Sequence, residues 1–196
     1  MRRCLALAAL SIWAALCLAP HAAIAQPPAR LALVLGNVHY GRIGTLENAG
    51  HDAADMGATL KSLGYTVVSI VDLDLAKLDA ALAGFSGKIA PGDTVVVYYA
   101  GHGVMGLASS GGQAMDNYLV PIDARFAVPN AVPAESVALG RVLEALERAH
   151  AGARILILDA CRNNPFAPYW AQMTTGTEGP PTAGGGPSVP VVIWAQ

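Results

Sequence analysis

Two segments carry residue types able to do covalent chemistry. His102 sits between two glycines, Gly101-His102-Gly103, directly after the β-branched and aromatic run Thr94-Val95-Val96-Val97-Tyr98-Tyr99. Cys161 follows the apolar run Arg154-Ile155-Leu156-Ile157-Leu158 in Asp159-Ala160-Cys161-Arg162-Asn163-Asn164. A thiol and a nearby imidazole are the minimum for acyl transfer: the thiolate attacks a carbonyl and the imidazolium protonates the leaving amine. Gly103 can turn its own N–H toward a ligand, and the N–H groups of Gly103 and Cys161 would suit an oxyanion. Bland readings stand beside this one. Cysteine is among the most buried residue types, so Cys161 also reads as an inert core thiol, and His102 as a surface histidine. The residues alone leave both open.

Other candidates are weaker. His39, His51 and His150 lack the mutual spacing of a metal site and read as surface or local hydrogen-bonding residues. Gly36-Asn37 ends an apolar run as a phosphate loop does, but no Lys-Ser/Thr or repeated glycine follows.

Chemistry of this kind needs rigid elements to position it. Leu31–Leu35 reads as a strand buried on both faces. Residues 47–63 repeat Ala49, Ala53, Met56, Leu60 and Leu63 at helical spacing, with Gly64 as the stop. A second strand is expected over 65–71, a helix over 74–85, and a central strand over 94–99. Gly101–Gly112, rich in Gly and Ser, reads as a loop, and Asn117–Pro121 as a short strand or hairpin arm. Residues 135–149 form a third helix and 154–158 a fourth core strand, followed by the loop that carries Cys161. Residues 174–190 turn to Gly, Pro, Thr and Ser, and Val191–Trp194 reads as one last strand. Strand and helix alternating in this way predict an α/β domain: a mainly parallel sheet with helices on both faces, its site at the carboxyl ends of the strands.

Composition narrows the class. The 196 residues are 54% hydrophobic and only 13% charged, with a net charge of −2, against about 25% charged in an average domain. Part of the excess is an expected leader: Met1-Arg2-Arg3, an uncharged run from Cys4 to Ala19, and Ala23-Ile24-Ala25 as a small-x-small cleavage site. Cleavage after Ala25 removes two arginines and leaves 171 residues at −4. The expected product is exported, periplasmic or secreted, with residues 26–30 as a linker. An acidic chain with ten Lys and Arg lacks the footprint for nucleic acid, and no second long apolar run suggests membrane association. Cys4 and Cys17 fall in the leader, so Cys161 has no disulfide partner.

Taken together, the motifs resemble a family. Tyr99-Ala100-Gly101-His102-Gly103, with Asp159-Ala160-Cys161-Arg162-Asn163-Asn164-Pro165-Phe166 following so that Cys161 lies 59 positions after His102, is similar to the caspase and metacaspase cysteine peptidases, especially their bacterial branch. Gly36-Asn37, Leu46–Met56 and Asp116–Asp123 add to the likeness, which covers Leu31–Phe166. The resemblance implies a three-layer caspase-like fold over residues 31–170, endopeptidase activity on proteins or peptides, His102 as general acid and Cys161 as nucleophile. The stretch Thr45–Asp52 has no Arg of the kind that selects P1 Asp. Asp52 and Asp159 instead match the two acids with which metacaspases select P1 Arg or Lys through charge-assisted hydrogen bonds. Alternatives for them are a solvated helix face, shared by Asp52 and Asp55, and turn-capping by Asp159. No cofactor is expected. Calcium, which some metacaspases need, would have only Asp116 and Asp123 here, and these suit fixing the 118–121 hairpin. Arg162-Asn163-Asn164 suits ordering the nucleophile loop.

The likeness gives out after Phe166. The 30 residues beyond it, half of them Gly, Pro, Thr or Ser, leave room for one strand of the region equivalent to the small subunit, and 171–196 reads as a tail. An open sheet edge invites pairing with a second copy. Two other readings are carried forward: a catalytically impaired caspase-like binding or scaffold module, and a flavodoxin-like ligand-binding domain in which both motifs are coincidental.

Overall fold

The structure, a computed structural model, describes residues 27–42, 44–107, 115–127, 131–161 and 191–195, and at Met115, Cys161 and 191–195 it describes the backbone. The expected leader, the nucleophile-loop residues Arg162–Asn164 and the Gly/Pro-rich stretch lie outside these residues.

The sheet is built on apolar strands. β1 (Arg30–Gly36), β4 (Thr66–Val71), β5 (Thr94–Leu107) and β8 (Ala153–Cys161) run parallel in the order β4-β1-β5-β8, and β9 (Val191–Ala195) adds antiparallel to β8. Strand alternation sorts their side chains to two faces. Ala32, Val34, Val96, Tyr98 and Ala100 face one way, against Ala49, Ala53 and Leu60 of α1 (Glu47–Ser62). Leu33, Leu35, Val95, Val97, Tyr99 and Leu156 face the other, against Leu78 and Phe85 of α2 (Leu75–Ser86) and Leu139, Val142 and Leu146 of α3 (Leu139–Arg148). Helices thus cover both faces, as the alternating sequence requires. Asp74 caps α2, accepting from Lys77 N at 2.8 Å. Gly64, at φ +82°, turns the chain after α1.

Two expectations are corrected. Gly101–Leu107 is not loop: β5 continues to Leu107 and its second half pairs antiparallel with β6 (Met115–Leu119), which pairs in turn with β7 (Val137–Ala138). The third helix starts at Leu139, not near 135. The Glu135 carboxylate is occupied by the N–H groups of Arg125 and Phe126, both at 2.8 Å, and Val137–Ala138 is drawn into β7. A small ribbon of β2 (His39–Tyr40) and β3 (Gly44–Thr45) precedes α1. No helix among the described residues is long and apolar enough to cross a membrane.

Candidate active site

The sequence separates His102 from Cys161, and the sheet brings them level. β5 and β8 are hydrogen-bonded neighbours whose register ends with His102 opposite Cys161. Neighbouring strands lie about 4.8 Å apart. Each residue closes the shared part of its strand, rather than following it as a loop residue. Position 102 has the parity of Val96, Tyr98 and Ala100, and position 161 that of Ile155 and Ile157, which pack with the α1 face.

The backbone at His102 is held from several sides. Tyr40 Oη accepts the His102 N–H at 2.8 Å, and Tyr99 Oη lies 2.9 Å from both the His102 and Val120 carbonyl oxygens. The two hydroxyls lie 3.3 Å apart. Burial pushes Tyr40 up to about 12 and raises Tyr99 well above its usual range, so both phenols keep their protons and hold these positions as neutral groups. Gly101 is needed here for want of space: a Cβ on it would lie 2.6 Å from Tyr99 Oη and 2.7 Å from Tyr40 Oη. The Tyr40 ring meets the His102 ring edge to face at 4.6 Å. His102 is half-buried rather than fully open, and burial lowers its pKa below the ordinary 6.5.

Asp159 lies inside β8, not in a capping turn. Tyr98 Oη donates to its Oδ2 at 3.1 Å. Burial first, then the Asp159 carboxylate, then that of Asp52 on α1 raise the Tyr98 hydroxyl well above its usual value. Fields from both predicted acids therefore reach one buried phenol. Asp52 and Asp55 are exposed on the helix, as their bland alternative allowed. Tyr98 escaped the sequence reading. Its signal was parity, since it shares a strand face with His102.

The remaining candidates have structural work. Asn37 is fully buried, donating to Val120 O at 3.0 Å and accepting Leu73 N–H at 2.9 Å, which ties three segments together. His39 pairs with Asp72 at 2.6 Å. Asp123 accepts Leu75 N–H at 3.0 Å, joining the turn after β6 to the start of α2, and Asp116 accepts Asn117 N–H at 2.7 Å. Among the described residues no three His, Cys, Asp or Glu side chains cluster as a metal site.

A family model for the caspase domain matches residues 29–192. The chain belongs to the caspase-domain family. The match runs past Phe166, where the motif likeness gives out, and reaches β9. Mucosa-associated lymphoid tissue lymphoma translocation protein 1 of Homo sapiens is 29% identical over 140 residues, and its Mus musculus homolog equally so. The alignment takes in 70% of this chain but 16% of either relative. Among solved structures, protein GSU0716 from Geobacter sulfurreducens is similar at 25% identity and a TM-score of 0.52, over 68% of this chain and 51% of that one. The three-layer arrangement is thus a caspase-like fold, and this caspase-family domain is of the cysteine-peptidase, hydrolase type.

Proposed function

We propose that this caspase-family domain is a cysteine endopeptidase that cuts after Arg or Lys, with Cys161 as nucleophile and His102 as general acid–base. The observation that carries the reading is the register of β5 on β8, which ends with His102 level with Cys161. In the proposed reaction the Cys161 thiolate adds to the scissile carbonyl carbon. The C–N bond breaks as His102 gives its proton to the departing amine. Water activated by His102 then hydrolyses the thioester and returns the thiol. No step in this sequence calls for a metal or organic cofactor.

Gly103 and Cys161 are the proposed oxyanion residues, and the strand pairing fixes where their N–H groups point. The His102 carbonyl faces β6, accepting from Val120 N at 3.1 Å. Successive peptide groups of a strand point to opposite edges, so the Gly103 N–H faces the β8 side, where Cys161 ends its strand. In the parallel pairing of His102 with Cys161 these two N–H groups are ladder donors, Cys161 to the Gly101 carbonyl and Gly103 to the Cys161 carbonyl, so their proposed use as oxyanion donors requires the end of the ladder to open. Asp52 and Asp159 are proposed to hold the P1 cation, with Tyr98 orienting Asp159. Tyr98, which binds Asp159, faces the side of the sheet that α1 covers, the helix that carries Asp52, and this supports placing both acids on one side of the sheet. The substrate is a protein or peptide, met outside the cytoplasm if the leader directs export.

A thiol-reactive probe carrying P1 Arg tests this. Labelling of the wild type, lost in both Cys161→Ala and His102→Ala, is expected, together with faster cleavage after Arg than after Asp. A wild type left unlabelled under reducing conditions would refute the peptidase and leave a binding module.

A further inference from the structure

Asp72 follows the last residue of β4 and holds a left-handed backbone, φ +57°, with its N–H on the Gly36 carbonyl at 2.9 Å. Its carboxylate grips the chain that leaves β1. Oδ1 accepts the Val38 and His39 N–H groups at 2.8 and 3.0 Å, and Oδ2 meets His39 Nδ1 at 2.6 Å. The next residue is Tyr40. A second tie follows at Gly41, whose N–H reaches the Ile122 carbonyl at 3.0 Å. Between these two ties Tyr40 is carried inward, 6% exposed, onto the backbone and ring of His102. His39 itself stays outside, its side chain 70% exposed. Burial opposes the charge on Asp72, but the bonds from His39 and Val38 outweigh it and hold the pKa below the usual 3.8, so the carboxylate is kept.

We propose that Asp72 is a positioning residue for the general acid–base: its carboxylate sets Tyr40, and Tyr40 sets His102. The inference rests on the peptidase reading and deepens it. β1 lies between β4 and β5 in the sheet, so Asp72 and His102 stand about 10 Å apart, too far for contact. The route between them is the chain from Val38 to Tyr40 and then the 2.8 Å hydrogen bond to the His102 N–H. Sign separates this route from a direct field. Loss of a remote negative charge lowers the pKa of an imidazole, whereas loss of the ring that covers His102 raises a value depressed by burial.

The test exploits the left-handed backbone. Asp72→Gly removes the carboxylate without strain, and Asp72→Asn keeps an oxygen for the two N–H groups in a residue that tolerates positive φ. The titration midpoint of His102 is followed by NMR of imidazole-labelled protein, its resonance assigned by its loss in His102→Gln. Cleavage of a peptidyl coumarin with P1 Arg gives kcat and KM. In Asp72→Gly the midpoint is expected to rise toward 6.5, and kcat to fall about tenfold with KM little changed. Asp72→Asn is expected to stay near the wild type in both. A midpoint that stays or falls in Asp72→Gly, or a kcat equal to that of the wild type, overturns the positioning role. A midpoint that rises in a protein whose wild type cleaves no coumarin keeps the coupling of Asp72 to His102 and overturns the peptidase.

Discussion

His102 is held at its backbone by two phenols and packed at its ring by one of them, so its position depends on Tyr40 and Tyr99. Burial lowers its pKa, and the direction fixes a sign. Above the ordinary 6.5 the imidazole is neutral in folded and unfolded chains, and the full stability is present. As pH falls below 6.5 the unfolded chain takes up its proton first, and stability declines until the folded-state pKa is passed. Tyr40, the ring against it, stays neutral throughout. Between pH 7.5 and 5.5 the wild type is therefore expected to lose more stability than His102→Gln in urea denaturation. Equal losses would contradict it. Gly101 gives a second prediction at this scale. Gly101→Ala drives a methyl into two buried tyrosine hydroxyls and is expected to cost about 1–3 kcal/mol, with kcat falling more than KM rises because His102 moves with its neighbours. A variant as stable and active as wild type would show that the phenols yield freely.

Among the elements, β5 explains what was legible in the sequence and what was not. Its first half announces itself through Val95, Val96, Val97, Tyr98 and Tyr99, because a strand buried on both faces is apolar without a break. Its second half is interrupted by glycines and resembles a loop. These glycines answer to contacts from distant segments: Gly101 to Tyr40 and Tyr99, and Gly106 to Val132, whose Cγ1 would lie 2.9 Å from an added Cβ. Nothing local distinguishes a glycine that admits a neighbour from one that makes a turn. The same limit hid the start of α3, since Glu135 binds Arg125 and Phe126 N–H groups instead of opening the helix. Of the site, the motif residues were readable as types and as a family likeness. Their alignment needed the β5–β8 register, and the part of Tyr98 needed the position of Asp159.

For the whole molecule, the sheet ends in β4 on one side and β9 on the other. β9 covers β8 from Arg154 to Leu158, so among the described residues the edge on that side is the outer one of β9, Val191-Val192-Ile193-Trp194-Ala195, without charge or proline. Native edges are commonly guarded by such residues. Two copies related by a twofold axis would lay β9 antiparallel against β9, the self-complementary arrangement that closes at two chains. Light scattering is expected to show a mass that moves from one chain to two as concentration rises. Ile193→Pro, which removes a ladder N–H and stiffens the middle of β9, is expected to shift that transition to higher concentration. A wild type monomeric at every concentration would mean that the β9 edge is covered within its own chain.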